Sequence, residues 1–308
     1  NDVEITDDLK DNINSIWDEE TSFDDSDLFT QKEVNDIVEK RLGRAENKYE
    51  TEIDELKEAM EDMVDPEKVE EYENKIGFIK AEQQIDNRLL YGFYPGVINN
   101  QGKERETLKN LVNSYLYRDI LAFSDIRKPE ILEQLLQALA LQMGNEVNYN
   151  ELSQLLRVNK ITIQKYIDIL EQGYIVFRLG SFRRNLRNEI KQNRKIYFHD
   201  NGIRNMILGD FKPLNLRYDK GALWENFLVS ERRKQNIYKD TFAKMYFWRT
   251  QQQQEIDFVE EKDGDISAFE FKWKDKKTKL PQKFLDTYTA KGFLINRENF
   301  REFVRINN

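Results

Sequence analysis

The sequence predicts an α+β protein that begins with an acidic coiled-coil helix, continues through a central helical domain and ends in a domain with a mixed sheet. Three patterns carry this prediction: a seven-residue apolar repeat near the N-terminus, helical periodicity through the middle, and strand-like alternation in the last third. The chain of 308 residues is long enough for more than one core. We expect segment boundaries at 1–28, 29–87, 88–210 and 211–308.

Charge is distributed unevenly along the chain. Residues 1–75 carry 27 Asp and Glu against 9 Lys and Arg, whereas residues 76–308 carry 30 against 39. Such an asymmetry indicates two segments with different partners. The basic part is the one suited to nucleic acid.

The composition excludes several classes of protein. Cysteine is absent, which excludes disulfides, cysteine-based zinc sites and thiol catalysis, and the single histidine, His199, excludes a His-rich metal site. No apolar run is long enough to span a bilayer, and the acidic start lacks the pattern of a signal peptide. We therefore expect a cytoplasmic protein without a membrane partner.

The N-terminal segments read as a disordered tail followed by a coiled coil. Residues 1–28 are acidic and lack periodicity, which is typical of disorder. Thr30-Gln31-Lys32-Glu33 forms a capping box that starts a helix. Leu42, Tyr49, Leu56 and Met63 then recur every seven residues. A helix this polar needs a partner helix, so we expect self-association through residues 29–87.

The central segment predicts a helix-turn-helix followed by a hairpin. Asn148 caps a helix that runs to Leu156, and a second helix covers Ile161–Gln172. Strands are expected at Tyr174–Phe182 and Lys195–Phe198, with a strongly basic connection between them. Two helices followed by a basic-tipped hairpin form the winged-helix arrangement.

This arrangement supplies candidate DNA contacts. From the second helix they are Lys160, Thr162, Gln164 and Lys165. From the hairpin they are Arg183, Arg184, Arg187, Lys191 and Arg194. The alternatives are a solvated loop, or a winged helix that serves only as a packing or docking module.

The C-terminal segment predicts a helix over Ala222–Arg233 and a strand over Met245–Trp248, followed by a hairpin. Asp263-Gly264 is a two-residue hairpin turn, which places Asp257 directly opposite Glu270. Because strand residues alternate, one face carries Glu255, Asp257, Glu270 and Lys272. The other face, expected to face the core, carries Ile256, Phe258, Phe269 and Phe271.

Two opposed carboxylates repel each other, and a divalent cation would reverse the sign of that interaction. Carboxylate oxygens suit magnesium or manganese, and a neighbouring lysine serves metal-assisted phosphodiester hydrolysis. The alternative is a solvated strand face with a Glu255–Lys272 ion pair.

The same residues carry a family resemblance. Glu255-Ile256-Asp257 followed by Glu270-Phe271-Lys272 is similar to the core of the PD-(D/E)xK nuclease superfamily. The resemblance implies that Asp257 and Glu270 bind Mg²⁺ or Mn²⁺ and that Lys272 is the catalytic lysine. It also implies that Glu225, in the preceding helix, is an accessory acid.

A broader resemblance covers residues 88–308, which look like the C-terminal region of a family of prokaryotic AAA-type ATPases. The matching runs are at 88–95, 114–121, 194–202, 221–227 and 247–250. The family implies an ATPase module, then a winged helix, then a nuclease-like domain. This chain has no phosphate-binding loop, so we expect no ATP site and no ATP hydrolysis by this chain alone.

Residues 29–63 weakly resemble phage capsid scaffolding proteins, which are acidic, coiled-coil assembly factors. Two functions therefore stay open. The first is a DNA-binding, nuclease-like protein with possible magnesium-dependent hydrolysis. The second is a non-enzymatic assembly protein that oligomerises through its coiled coil.

Overall fold

The structure of the chain is a computed structural model. The described residues are 50–58, 75, 80, 83–114, 126, 128–183, 194–250, 252–274 and 278–304. The chain divides into two compact units, Asn1–Glu52 and Ile53–Asn308. The predicted tail and most of the predicted coiled coil lie outside the described residues, although 50–58 are helical as expected. No helix in the described part combines the length and apolar character needed to cross a membrane.

Helices and strands alternate through the second unit, so the protein is a mixed α/β structure. The strands are β1 (Glu146–Val147), β2 (Val176–Ser181), β3 (Arg194–Phe198), β4 (Lys244–Arg249), β5 (Glu255–Lys262), β6 (Asp265–Phe271) and β7 (Lys291–Ile295). The helices are α1 (Pro95–Ile98), α2 (Glu104–Leu111), α3 (Pro129–Leu141), α4 (Tyr149–Leu155), α5 (Lys160–Gln172), α6 (Asn201–Leu208), α7 (Lys220–Tyr238), α8 (Gln282–Tyr288) and α9 (Phe300–Val304).

The two predicted helices of the helix-turn-helix are present, the first with its predicted cap at Asn148 and the second with a cap at Asn159, in the predicted turn. The Asn148 side chain accepts a hydrogen bond from the backbone N–H of Asn150, which starts α4. The Asn159 side chain accepts one from the backbone N–H of Thr162, which starts α5. Such bonds satisfy amides that have no partner within the helix. The antiparallel pair β2 and β3 follows these helices, as predicted.

The seven strands of the described residues belong to one mixed sheet in the order β1-β3-β2-β4-β5-β6-β7. Strand β2 pairs in parallel with β4, and β6 pairs in parallel with β7, while the other neighbours are antiparallel. The β2–β4 pairing joins strands from both sides of the predicted boundary at residues 210 and 211. The backbone N–H of Phe182 extends this pairing by donating to the carbonyl of Phe247 at 2.7 Å. The domain boundary at residues 210 and 211 stays a prediction, but strands from both sides of it belong to the same sheet.

The predicted hairpin register is confirmed near its turn. Lys262 pairs with Asp265, and the pairing continues to Phe258 opposite Phe269. A register shift then occurs between β4 and β5, where Tyr246 pairs with Val259 but Trp248 pairs with Ile256. One strand therefore has an extra residue at this point, which is a β-bulge at Asp257-Phe258.

The bulge corrects one part of the face assignment. Phe258, Phe269 and Phe271 lie in the main core with Trp224, as expected. Ile256 instead packs in a separate cluster with Val259 and Phe284. The prediction for Ile256 is wrong because strict alternation assumes a regular strand, and the extra residue of a bulge reverses the side-chain direction beyond it.

The start of α6 packs closely against the end of the helical segment 83–91. The carboxylate of Asp200 caps α6 and also accepts a hydrogen bond from the backbone N–H of Phe93 at 2.7 Å. The Asn205 side chain donates to the carbonyl of Leu90 at 2.8 Å. A Cβ atom on Gly202 would lie 2.2 Å from the carbonyl oxygen of Tyr91. Only glycine fits at position 202 without displacing the backbone.

We predict that Gly202→Ala lowers the free energy of unfolding by about 1 to 3 kcal/mol, because the added methyl group overlaps the backbone at Tyr91. Urea denaturation measures the change. The matched control is Gly221→Ala in α7, where no atom lies within 4 Å of the added Cβ. Alanine there is neutral or stabilises the helix by up to about 1 kcal/mol. Equal effects of the two substitutions would contradict the described packing.

Candidate functional site

Charged side chains from four elements converge beside the bulge of β5. We call this group the carboxylate cluster: Lys195 and Tyr197 from β3, Glu225 from α7, Glu255 and Asp257 from β5, and Glu270 and Lys272 at the end of β6. The four residues assigned to a nuclease-like site from the sequence, namely Glu225, Asp257, Glu270 and Lys272, are therefore brought together. The other three members are Lys195, Tyr197 and Glu255, which are linked to Glu225 or to each other by hydrogen bonds and ion pairs.

Asp257 lies at the bulge, and its carboxylate takes the place of a backbone pairing. Its Oδ2 atom accepts a hydrogen bond from the backbone N–H of Phe271 at 2.7 Å. Burial raises the pKa of Asp257 well above its ordinary value, and the negative charges of Glu225 and Glu270 raise it further. Asp257 is thus a carboxyl group that favours either a proton or a bound cation.

Glu270 has two oxygens in different environments. Its Oε1 atom accepts a hydrogen bond from Lys272 Nζ at 2.6 Å. Its Oε2 atom is buried and has no hydrogen-bond partner. Burial alone would lower the pKa of Lys272, but the hydrogen bond and charge of Glu270 raise it, so the ammonium form is favoured. A buried acceptor without a partner is costly, which makes this oxygen a candidate ligand position.

Glu225 is held from the opposite side by β3. Its Oε1 atom accepts hydrogen bonds from Tyr197 Oη at 2.6 Å and from Lys195 Nζ at 3.2 Å. The Lys195 ammonium also lies 2.6 Å from Glu255 Oε1. Burial alone would lower the pKa of Lys195, but the carboxylates of Glu225 and Glu255 raise it above its ordinary value. Burial also raises the pKa of Tyr197, which therefore stays a hydrogen-bond donor.

The ion pairs differ from those expected at a solvated strand face. Glu255 pairs with Lys195 and not with Lys272, whereas Lys272 pairs with Glu270. The Glu255–Lys272 prediction is wrong because regular pairing between β5 and β6 stops at Phe258 and Phe269, before the strands reach those residues. The cation that pairs with Glu255 is Lys195 of β3.

Sequence reasoning missed Lys195 and Tyr197, although one signal was available. Both residues lie in a short strand, Arg194–Phe198, that also contains Ile196 and Phe198, and their spacing of two places them on the same face. A lysine in such a strand requires a buried acidic partner. The partner itself was not deducible, since Glu225 and Glu255 follow much later in the chain.

The donor chemistry of the carboxylate cluster fits a hard divalent cation. The charge of Glu270 acts on the Asp257 carboxyl group, and the Oε2 atom of Glu270 is buried without a hydrogen-bond partner. Among the described residues, no three His, Cys, Asp or Glu side chains are placed to hold one ion. Magnesium needs no such cage, because in proteins it commonly binds one or two carboxylates and keeps several waters or substrate oxygens.

The candidate DNA contacts are only partly described. Lys160, Gln164 and Lys165 are exposed on α5, as a groove-reading helix requires. The Thr162 hydroxyl donates to Asn159 Oδ1 at 2.9 Å and so belongs to the helix cap. Arg183 is exposed, and Arg194 begins β3. The remaining three candidates, Arg184, Arg187 and Lys191, lie outside the described residues.

Two family models match the chain. Residues 82–214 match the family described as Domain of unknown function (DUF8612), and residues 220–306 match Domain of unknown function (DUF4143). The second domain is often found in proteins associated with AAA-type ATPases.

The curated relatives are distant. An uncharacterized protein of Mycobacterium tuberculosis is 30% identical over 164 residues, covering 52% of this chain and 36% of that protein. An uncharacterized protein of Haemophilus influenzae is 27% identical over 125 residues, covering 39% and 31%. An uncharacterized protein of Methanocaldococcus jannaschii is 22% identical over 240 residues, covering 70% and 52%. The chain thus spans about a third to a half of their lengths. No solved structure gives a significant match.

We predict that Asp257→Asn stabilises the metal-free protein at pH 7 by about 1 kcal/mol or more, since one pKa unit corresponds to about 1.4 kcal/mol. The asparagine oxygen still accepts the hydrogen bond from Phe271, but the buried negative charge is removed. Because the folded-state pKa of Asp257 is raised, the gain is present above the unfolded value of 3.8 and vanishes below it. Urea denaturation in the presence of a chelator measures the gain in stability at pH 7 and its loss below pH 3.8.

The control for this prediction is Asp265→Asn, an exposed position on the same hairpin. It should change the stability by less than about 0.5 kcal/mol at either pH. An Asp257→Asn variant that is less stable than the wild type at pH 7 would contradict the charge repulsion described here.

Proposed function

We propose that residues 88–308 are the DNA-binding, nuclease-like portion of a protein that works with an AAA-type ATPase, and that the carboxylate cluster hydrolyses phosphodiester bonds with magnesium. The main support for this proposal is the environment of Glu270. One of its oxygens accepts a hydrogen bond from Lys272, and the other is buried without a partner. The negative charge of Glu270 also acts on Asp257, whose ionised form is disfavoured by burial. An arrangement of this kind stores repulsion that a cation relieves, which favours a binding role over a purely structural one.

The association with an ATPase is proposed for the whole protein, not for this chain by itself. It is supported by the match of residues 220–306 to a domain that is often found beside AAA-type ATPases. The curated relatives are two to three times as long as the part that the chain matches. The alternative role as an assembly protein rests on residues 29–63, of which only 50–58 are described.

In the proposed site, Asp257 and Glu270 would hold Mg²⁺, or Mn²⁺ in its place. A bound divalent cation supplies Lewis-acid polarisation of a phosphate oxygen. Lys272 is held 2.6 Å from Glu270 Oε1 and so presents its positive charge at the edge of the site, where it would neutralise the phosphate or orient a water. Glu225 accepts hydrogen bonds on one oxygen from Tyr197 and Lys195, which would hold its carboxylate in place for the role of accessory acid.

DNA binding would place the substrate on the helix-turn-helix side of the same sheet. The exposed side chains of Lys160, Gln164 and Lys165 lie on one helix, α5, whose apolar residues are buried. The hairpin of β2 and β3 follows α5, and Lys195 of β3 belongs to the carboxylate cluster, so one sheet would connect the proposed binding and hydrolytic parts.

We predict that purified protein cleaves DNA in millimolar Mg²⁺, and that Asp257→Ala and Lys272→Ala each lower the rate by roughly 100-fold or more. The reason is that even residues that only orient a metal ligand cost about 10- to 100-fold when they are removed. Gel assays with single-stranded and double-stranded oligonucleotides measure cleavage, and a chelator should abolish it.

Asp265→Asn, an exposed position at the far end of the same hairpin, serves as the control and should cleave like the wild type. Cleavage at the wild-type rate by Asp257→Ala would contradict the proposed role of Asp257. Absence of cleavage of every substrate, together with absence of Mn²⁺ binding in calorimetry, would contradict the proposed function.

We also predict that Lys160→Ala with Lys165→Ala weakens DNA binding and lowers the slope of log affinity against log salt concentration by about 2, since each lost phosphate contact accounts for roughly one unit. Fluorescence anisotropy over a range of salt concentrations measures the slope. Lys283→Ala on α8, another exposed lysine, is the control and should leave the slope unchanged. An unchanged slope in the double variant would exclude α5 from the DNA interface.

A further inference from the structure

Lys195 is buried at a position where a lysine is difficult to accommodate. Its side chain is only 3% exposed, and its Nζ atom lies 5.5 Å from the centre of the Phe247 ring. A buried ammonium group is strongly destabilising unless it is paired with negative charge. Lys195 meets this requirement with two acids, Glu255 at 2.6 Å and Glu225 at 3.2 Å.

The three charged groups come from different parts of the fold. Lys195 belongs to β3, Glu225 to α7 and Glu255 to the start of β5. Tyr197, two residues after Lys195, donates to the same oxygen of Glu225 that Lys195 contacts. Strand β3 therefore fixes the Glu225 carboxylate with two donors, and one of them also fixes Glu255.

The charges of the carboxylate cluster do not balance. Four carboxylates, those of Glu225, Glu255, Asp257 and Glu270, face two ammonium groups, those of Lys195 and Lys272. Arg249 approaches Glu255 from the outside at 3.8 Å. Within the described residues, Asp257 has no ion-pair partner within 4.0 Å, although Lys195 lies near enough to act on its charge.

We propose that Lys195 is a positioning residue and the built-in counter-cation of the carboxylate cluster: it holds Glu225 and Glu255 in place, and its charge opposes a divalent cation at Asp257 and Glu270. The second half of this inference rests on the proposed function. Lys195 thereby sets the affinity for metal, because two positive charges in one partly buried site repel each other.

A lysine with a purely structural role predicts a different response from a counter-cation. Removing a structural lysine loosens the site and weakens the binding of any ligand. Removing a counter-cation leaves the carboxylates more negative and strengthens the binding of a cation. The sign of the change in metal affinity therefore separates the two roles.

The experiment is calorimetric titration of the 308-residue chain with MnCl₂. Lys195→Met, which keeps the length of the side chain and removes its charge, should bind Mn²⁺ about tenfold more tightly. Lys195→Arg keeps the charge and should stay near the wild type. Lys262→Met, at an exposed position on β5, is the control for loss of a lysine and should change little.

A second variant guards against failure of Lys195→Met to fold. Glu255→Gln removes one acid from Lys195, leaves more of the ammonium charge uncompensated and should weaken Mn²⁺ binding several-fold. Circular dichroism confirms that each variant is folded. Weaker or unchanged Mn²⁺ binding by folded Lys195→Met would overturn the role of Lys195 as a counter-cation. Unchanged Mn²⁺ binding by Glu255→Gln would overturn it as well.

A metal-free measurement separates this inference from the proposed function. In a double-mutant cycle of Lys195→Met and Glu255→Gln, urea denaturation should show a coupling of at least about tenfold in the folding equilibrium constant. Absence of coupling overturns the positioning role. Absence of Mn²⁺ binding in every variant contradicts the proposed metal site and the metal half of this inference, while the cycle still decides whether Lys195 positions the acids.

Discussion

Negative charge cannot be gathered in a partly buried site unless positive charge enters with it, and this constraint organises the centre of the protein. Glu225 comes from α7, and Asp257 and Glu270 come from adjacent strands. Lys272 accompanies Glu270, and Lys195 enters from β3 to accompany Glu225. The compensation is incomplete at Asp257 and at one oxygen of Glu270. This uncompensated repulsion does not stabilise the fold, and the proposed cation-binding role would account for it.

The topology of the sheet brings Lys195 into the carboxylate cluster. The parallel pairing of β2 with β4 extends the antiparallel hairpin of β5 and β6 toward the helix-turn-helix. The neighbouring strand β3 then presents Lys195 and Tyr197 toward α7. The bulge in β5 places Asp257 in the site, because it turns the side chain so that its carboxylate accepts a hydrogen bond from the backbone N–H of Phe271. Bulges are common beside functional sites for this reason.

Local signals in the sequence predicted local structure well. Asn148 identified the start of α4, and Asp263-Gly264 fixed the register of the hairpin as far as Phe258. Non-local features escaped prediction. The bulge that redirects Ile256 depends on the partner strand β4, and the pairing of Lys195 with Glu255 depends on a crossover that brings distant segments together. Helix α7 also runs beyond its predicted end to Tyr238, because tertiary packing outweighs local propensity.

We propose that Asp257 and Glu270 form a cation site and are not merely a charged strand face. Anomalous diffraction from crystals grown with MnCl₂ should then show a manganese peak at about 2 Å from Glu270 Oε2 and from an Asp257 oxygen, with waters completing the coordination shell. A map without a peak at these carboxylates, from crystals in which both side chains are well ordered, would contradict it.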